Sequence, residues 1–173
     1  MAWWLTVYCR KSVASLEPRQ LADGLRDRDP EAPAGVDYEA LAEEYELDED
    51  DLNEALEQLS VVAVSRESLD VELRYRRDPT ARPVIVHLWT NPERVAEELE
   101  ETHDIREPPD GALPYLSACR EIVGIELGYS QLEDMGLVLA CELARYLAQK
   151  GDGIFVDDNN EWYAVEDGEF TDP

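Results

Sequence analysis

Lysine is almost missing from this chain. Its 173 residues include two lysines, Lys11 and Lys150, and 15 Lys and Arg residues stand against 41 Asp and Glu residues. The resulting net charge of −26 would repel the phosphates of a nucleic acid, so we predict no direct nucleic-acid binding. The surplus of negative charge has three interpretations: a partner with a basic surface, imitation of a nucleic acid, or adaptation to high salt or to a high-GC genome.

Cysteines and long apolar runs are also scarce. The three cysteines, Cys9, Cys119 and Cys141, form no CxxC pair, which favours a reduced, cytoplasmic protein. No apolar run approaches the roughly 18 residues that a membrane-spanning helix requires. The segment MAWWLTVYC carries no positively charged beginning of a signal peptide. These absences predict a cytoplasmic protein that does not interact with a membrane.

Motifs of catalysis and of cofactor binding are missing. The sequence has no GxSxG, no HExxH and no glycine-rich phosphate loop. The run Asp157-Asp158-Asn159-Asn160 lacks the spacing and the glycine of a calcium loop, and it predicts a turn. His87 lies inside an apolar run and is more simply structural than catalytic. We predict no enzyme, no cofactor and no metal, with a carboxylate-based active site as the alternative.

Residues 121–165 carry the clearest structural pattern. Residues 122–127 predict a strand. Ser130 with Glu133 predicts a capping box, and the apolar residues behind it recur every three or four positions, as in a helix. Gly151 and Gly153 supply the end of that helix. Residues 154–156 and 162–165 predict a hairpin around the acidic turn.

The part of the chain before residue 121 alternates strands and helices. Residues 3–9 predict a strand with both faces covered, and residues 61–90 predict an antiparallel meander. Helices are predicted from Pro18 to about Asp27 and again behind an Asn91 cap. Leu113 to Ala118 is predicted as a connector.

This order of elements predicts an α+β fold with a mostly antiparallel sheet and helices packed on one side. A ferredoxin-like topology is preferred, with two related halves as an option within it. We predict one domain over residues 1–173. The turn-rich run at 107–111 divides the alternative halves, 1–106 and 112–173.

Residues 37–59 are the most acidic part of the chain. They contain eleven Asp and Glu residues and no Lys, Arg or His. Their pattern predicts two short helices, capped by Asp37 and Asp48, with a charge opposite to that of a DNA-reading helix. The segment is either a solvated helical face or a docking surface for a basic protein. The candidate partner-binding residues are Glu43, Glu44, Glu46, Asp50, Asp51 and Glu54.

The arginines of the chain concentrate just after this segment. Arg66, Arg74, Arg76, Arg77 and Arg82 form one basic zone. Such a zone can hold an anion, or it can offset acidic side chains that lie near it in the fold. The sequence leaves both interpretations open.

The end of the chain resembles a known group of proteins. The residues that carry the resemblance are Gly128-Tyr129, the run Leu147-Ala148-Gln149-Lys150-Gly151-Asp152-Gly153, Ile154-Phe155-Val156-Asp157-Asp158 and Glu161-Trp162-Tyr163. They are similar to the C-terminal part of small acidic bacterial proteins in the immunity families of polymorphic toxin systems. The resemblance implies a single-domain cytoplasmic protein that binds and blocks a toxin. Those families share no invariant catalytic motif, so it assigns no site residue.

Three functions therefore remain as expectations. A binding protein of the immunity type would use its acidic surface to speed the encounter with a basic partner. A nucleic-acid mimic would compete with DNA for a DNA-binding protein. An enzyme would need carboxylates with raised pKa values in a cleft.

Overall fold

The structure is a computed structural model that describes residues 2–26, 46–64, 70–166 and 169–173. Within these ranges the chain forms eight β-strands, five α-helices and one turn of 3-10 helix at Tyr129–Gln131. The elements are β1 (Ala2–Cys9), α1 (Pro18–Arg26), α2 (Glu49–Gln58), β2 (Ser60–Ala63), β3 (Val71–Arg74), β4 (Val84–Trp89), α3 (Pro92–Arg106), α4 (Leu113–Ser117), β5 (Glu121–Gly128), α5 (Met135–Gly151), β6 (Gly153–Asp157), β7 (Trp162–Glu166) and β8 (Glu169–Thr171).

The strands form one antiparallel sheet. Its order is β2-β3-β4-β5-β1-β6-β7-β8, so β1 lies between β5 and β6. Leu5 pairs with Ile125 on one side and with Asp157 on the other. Since β5 and β6 both run antiparallel to β1, they run parallel to each other, and α5 connects them across β1. The predicted meander over 61–90 is confirmed as β2, β3 and β4.

Helices cover both faces of the sheet. Side chains alternate along each strand, so each strand contributes to both faces. In β1, Leu5 and Val7 belong to a large core cluster that also contains apolar residues of α1, α2 and α5. Tyr8 points to the opposite face, where it clusters with Val95 of α3 and Leu116 of α4. The prediction of helices on one side was therefore wrong. The narrow apolar stripe of α3 and the short α4 gave too little pattern to reveal a second layer.

The predicted α+β class and the antiparallel sheet are confirmed. The ferredoxin-like topology and the two related halves are not confirmed. A ferredoxin-like sheet interleaves two β-α-β crossovers. The crossover β5-α5-β6 passes over one strand, β1. Strands β1 and β2 are also parallel, with α1 and α2 between them in the chain, but three strands, β5, β4 and β3, separate them in the sheet. The run at 107–111 separates no sheets, because β1 and β4 precede it and pair with strands that follow it.

Several local predictions are confirmed. Helix α1 begins at Pro18, and Asn91 caps α3 by accepting hydrogen bonds from the backbone N–H groups of Glu93 and Arg94. The segment predicted as a connector is instead the helix α4, and β8 was not predicted at all. None of the helices described is long and apolar enough to cross a membrane.

The start of α5 corrects a prediction. Ser130 belongs to the 3-10 turn, and the helix begins at Met135 behind Asp134. The Asp134 carboxylate accepts a hydrogen bond of 2.6 Å from the backbone N–H of Gly136. A serine followed three residues later by glutamate is a common capping signal, but here a tertiary contact of Asp134 with the β3–β4 loop selects the later start.

Replacing each candidate cap tests this assignment. Asp134→Ala should lower the free energy of unfolding by about 1–2 kcal/mol, because it leaves helix N–H groups without an acceptor. Ser130→Ala should change it by less than about 0.5 kcal/mol. Urea unfolding followed by circular dichroism measures both. A larger loss of unfolding free energy from Ser130→Ala than from Asp134→Ala would instead support the capping box predicted from the sequence.

Candidate functional site

The acidic surface predicted from residues 37–59 is described in part. Glu43 and Glu44 lie outside the described residues, as does the first predicted helix. Glu46, Asp50, Asp51 and Glu54 are exposed, and the last three lie on α2. The second predicted helix, its Asp48 cap and its start are confirmed.

Two of these four carboxylates already have partners within the fold. Asp51 completes a capping box with Asp48, in which each carboxylate accepts the backbone N–H of the other residue. Glu54 accepts a hydrogen bond from Gln58 and lies 3.6 Å from the Arg77 guanidinium. Glu46 and Asp50 form no ion pair with the rest of the described chain, so they are the acids of this set most available to an external partner.

The basic zone lies beside α2, as expected if it offsets acidic side chains that lie near it in the fold. Arg77 faces Glu54 of α2. Arg74 pairs with Glu72 at 2.5 Å, and Arg76 and Arg82 pair with Asp134 and Glu126. Arg66 lies outside the described residues. The zone therefore offsets acids from four different parts of the fold.

A buried polar network fixes the base of this zone. The Tyr75 hydroxyl donates to the Asp134 carboxylate at 2.9 Å and lies 3.3 Å from the Gln131 side-chain nitrogen. Gln131 also donates to the carbonyl of Arg82 at 3.0 Å and accepts from the N–H of Gly128. Burial raises the pKa of the Tyr75 phenol, which keeps it protonated as the donor. The β3–β4 loop is thereby fastened to the start of α5.

Nearly all described Lys and Arg side chains lie close to a carboxylate of the same chain. Arg28 and Arg66 are not among the described residues. Of the thirteen remaining Lys and Arg side chains, eleven lie within 4 Å of a carboxylate of the described residues, and Arg120 and Lys150 lie near none of these carboxylates. The net charge of −26 already counts every Lys and Arg residue of the chain, so ions or molecules from outside the chain balance it.

A second acidic surface lies on α3, and it was not among the predicted site residues. Val95 and Thr102 turn this helix toward the sheet, which leaves a row of exposed carboxylates on its outer side. The spacing of four, three and four residues was readable from the sequence and places them on one face. We name the row the α3 stripe: Glu93, Glu97, Glu100 and Asp104.

His87 belongs to an aromatic row on the same face of the sheet as α3. Its ring lies 5.5 Å from that of Trp4 and 6.2 Å from that of Trp89. Its two ring nitrogens lie 3.4 Å from Asp70 and 3.5 Å from Glu126. The ring is held between two indoles and two carboxylates, an arrangement that supports a structural role.

The acidic hairpin loop is a turn, as predicted. The Asp157 carboxylate accepts hydrogen bonds from the N–H groups of Asn159 and Glu161, and Asn160 adopts a left-handed conformation. Burial raises the pKa of Asp157. In the described part of the chain, no three His, Cys, Asp or Glu residues group in a way that could hold a metal ion.

Comparisons of this chain with protein-family models, with curated proteins and with solved structures found no match.

Proposed function

We propose that this protein is a non-enzymatic binding protein that holds a basic protein against its acidic surfaces. The observation that carries the proposal is the distribution of charge. Nearly all described cations are engaged internally, while Glu46, Asp50 and the α3 stripe face solvent. Carboxylates arranged in this way attract a positively charged partner and speed its association.

Neutralisation of a toxin is the form of binding that we propose, on the strength of the resemblance to immunity families. A basic nuclease toxin would supply the complementary charge, and immunity would require only tight association, without catalysis. The sequence contains no catalytic or cofactor motif that this role would leave unexplained. The cytoplasm is the compartment in which such a protein would meet its target.

Three matched charge reversals test the proposal. The first variant carries Glu46→Lys and Asp50→Lys, and the second carries Glu100→Lys and Asp104→Lys. The control carries Glu17→Lys and Asp110→Lys, which are exposed acids outside both surfaces. All three variants change the net charge by the same amount, so only the location of the change differs.

The partner is first captured from a native lysate at low salt and identified, and its association rate is then measured by stopped flow at two salt concentrations. At least one surface variant should associate about tenfold more slowly and depend less on salt. The control should stay within about twofold of the parent protein. If association slows equally in all three variants, net charge alone explains the effect, and this result would contradict a localised binding surface. A captured DNA-binding protein that DNA displaces would favour nucleic-acid mimicry over immunity.

A further inference from the structure

We propose that the cleft between α2 and the β3–β4 loop binds a small organic phosphate ester. The cleft has two adjoining portions, of about 500 Å³ and about 250 Å³, which share Gln58, Tyr75, Arg76 and Arg77. Volumes of this order are typical of small-molecule sites. The proposal concerns a ligand site separate from protein binding, and it does not depend on the proposed function.

The larger portion is lined by four arginines. Arg74, Arg76, Arg77 and Arg82 all line it, and Asp78 is the one acid among the described residues that line it. The chain has 15 Lys and Arg residues against 41 Asp and Glu residues, so four arginines at one cleft are a local concentration of the scarce charge, although each also lies within 4 Å of a carboxylate. Arginine presents a planar set of donors that matches the oxygens of a phosphate.

The guanidinium groups keep donors available for a ligand. Arg77 is 79% exposed, and its nearest carboxylate, Glu54, lies at 3.6 Å, beyond hydrogen-bond distance. Arg76 and Arg82 pair with their carboxylates through one terminal nitrogen each. A guanidinium carries five N–H donors. An entering phosphate therefore finds unused N–H groups without breaking the internal pairs of Arg76 and Arg82.

The smaller portion supplies an apolar surface. Leu47, Ala55 and Met135 line it, and the buried Tyr75 lies between the two portions. Asp51, Glu54 and Asp134 also line it, and each accepts a hydrogen bond within the fold. A free phosphate ion would leave this surface uncovered. An ester whose apolar group lies against Leu47 and Met135 would fill both portions, because burying apolar surface adds to the charge-assisted hydrogen bonds.

Isothermal titration calorimetry with four probes tests the ligand class on the full chain. The probes are phenyl phosphate, inorganic phosphate, benzoate and phenol, all at about 0.15 M salt to screen the net charge. We expect saturable binding of phenyl phosphate, weaker binding of inorganic phosphate and none of phenol. Equal binding of benzoate would overturn the preference for phosphate, and equal binding of inorganic phosphate would overturn the role of the apolar portion. The proposal fails outright if phenyl phosphate does not bind.

Matched variants locate the site. Arg77→Gln should weaken phenyl phosphate binding at least about tenfold, since it removes charge-assisted hydrogen bonds. Arg19→Gln makes the same charge change at an exposed arginine on α1 and should have little effect. Glu54→Gln should tighten binding about two- to fivefold by freeing Arg77 from its competing carboxylate. Glu57→Gln is the control on the same helix, at an exposed acid that lines neither portion of the cleft, and an equal gain from it would contradict the competition.

Discussion

Gly153→Ala should destabilise the protein by about 3 kcal/mol or more, a large effect for one methyl group. Gly153 begins β6 and lies opposite Cys9 of β1. A Cβ atom at position 153 would lie 2.1 Å from the carbonyl oxygen of Tyr8. That oxygen belongs to the backbone of a central strand, so it cannot move without disturbing the pairing of β1 with β6.

Gly128→Ala is the matched control, because Gly128 ends another central strand. A Cβ atom there would meet the side chain of Arg82 at 3.1 Å, and this long side chain can move aside. The control should cost less than about 1 kcal/mol. Urea unfolding of both variants gives the comparison. Similar stabilities for the two variants would contradict the close approach of β1 and β6.

Raising the KCl concentration from about 0.02 M to about 1 M should increase the free energy of unfolding by about 2–4 kcal/mol. Like charges three or four residues apart on a helix cost about 0.2–0.5 kcal/mol each, and salt at this concentration screens them. Helices α2 and α3 contain nine such pairs. They are Asp50–Glu54, Asp51–Glu54, Glu54–Glu57, Glu93–Glu97, Glu97–Glu100, Glu97–Glu101, Glu98–Glu101, Glu100–Asp104 and Glu101–Asp104.

Glu101→Lys should reduce this gain, because it converts three repulsive pairs of α3 into attractive ones. Glu17→Lys changes the net charge equally but has no charged neighbour at helical spacing, so it should leave the gain almost unchanged. Urea unfolding at both salt concentrations measures each protein. If Glu101→Lys gains as much unfolding free energy in KCl as the parent protein, the salt effect belongs to the chain as a whole. That result would favour adaptation to salt over a built docking surface.

The sequence predicted those elements whose signal is local. The alternation of residues 3–9 and the apolar spacing within α5 depend on neighbours in the chain, and both elements are present. The start of α5 was missed because Asp134 is selected by Tyr75 and Arg76, more than fifty residues earlier. The second helical layer was missed for a similar reason. Its anchors, Val95 and Leu116, lie in short apolar patterns, and their partners come from distant strands.

The candidate site divides in the same way. The exposure of Asp50 and the charge of α2 follow from composition, so the sequence could predict them. The engagement of Glu54 with Arg77 depends on where the β3–β4 loop folds back, which no local pattern records. The cleft between them was equally invisible, since its two walls meet only in the folded chain.

The central position of β1 has a consequence for how the chain folds. The strand pairs with residues more than a hundred positions further along, from Cys9 with Glu121 to Leu5 with Asp157. Contacts of such long range carry a large loop-closure cost and slow the search for the native state. The strands of the meander β2–β3–β4 are close in sequence and can pair early. In contrast, β1 reaches its native pairing only after both β5 and β6 have been synthesised. Until then its apolar residues lack their partners, and the net charge of −26 opposes association between incompletely folded chains.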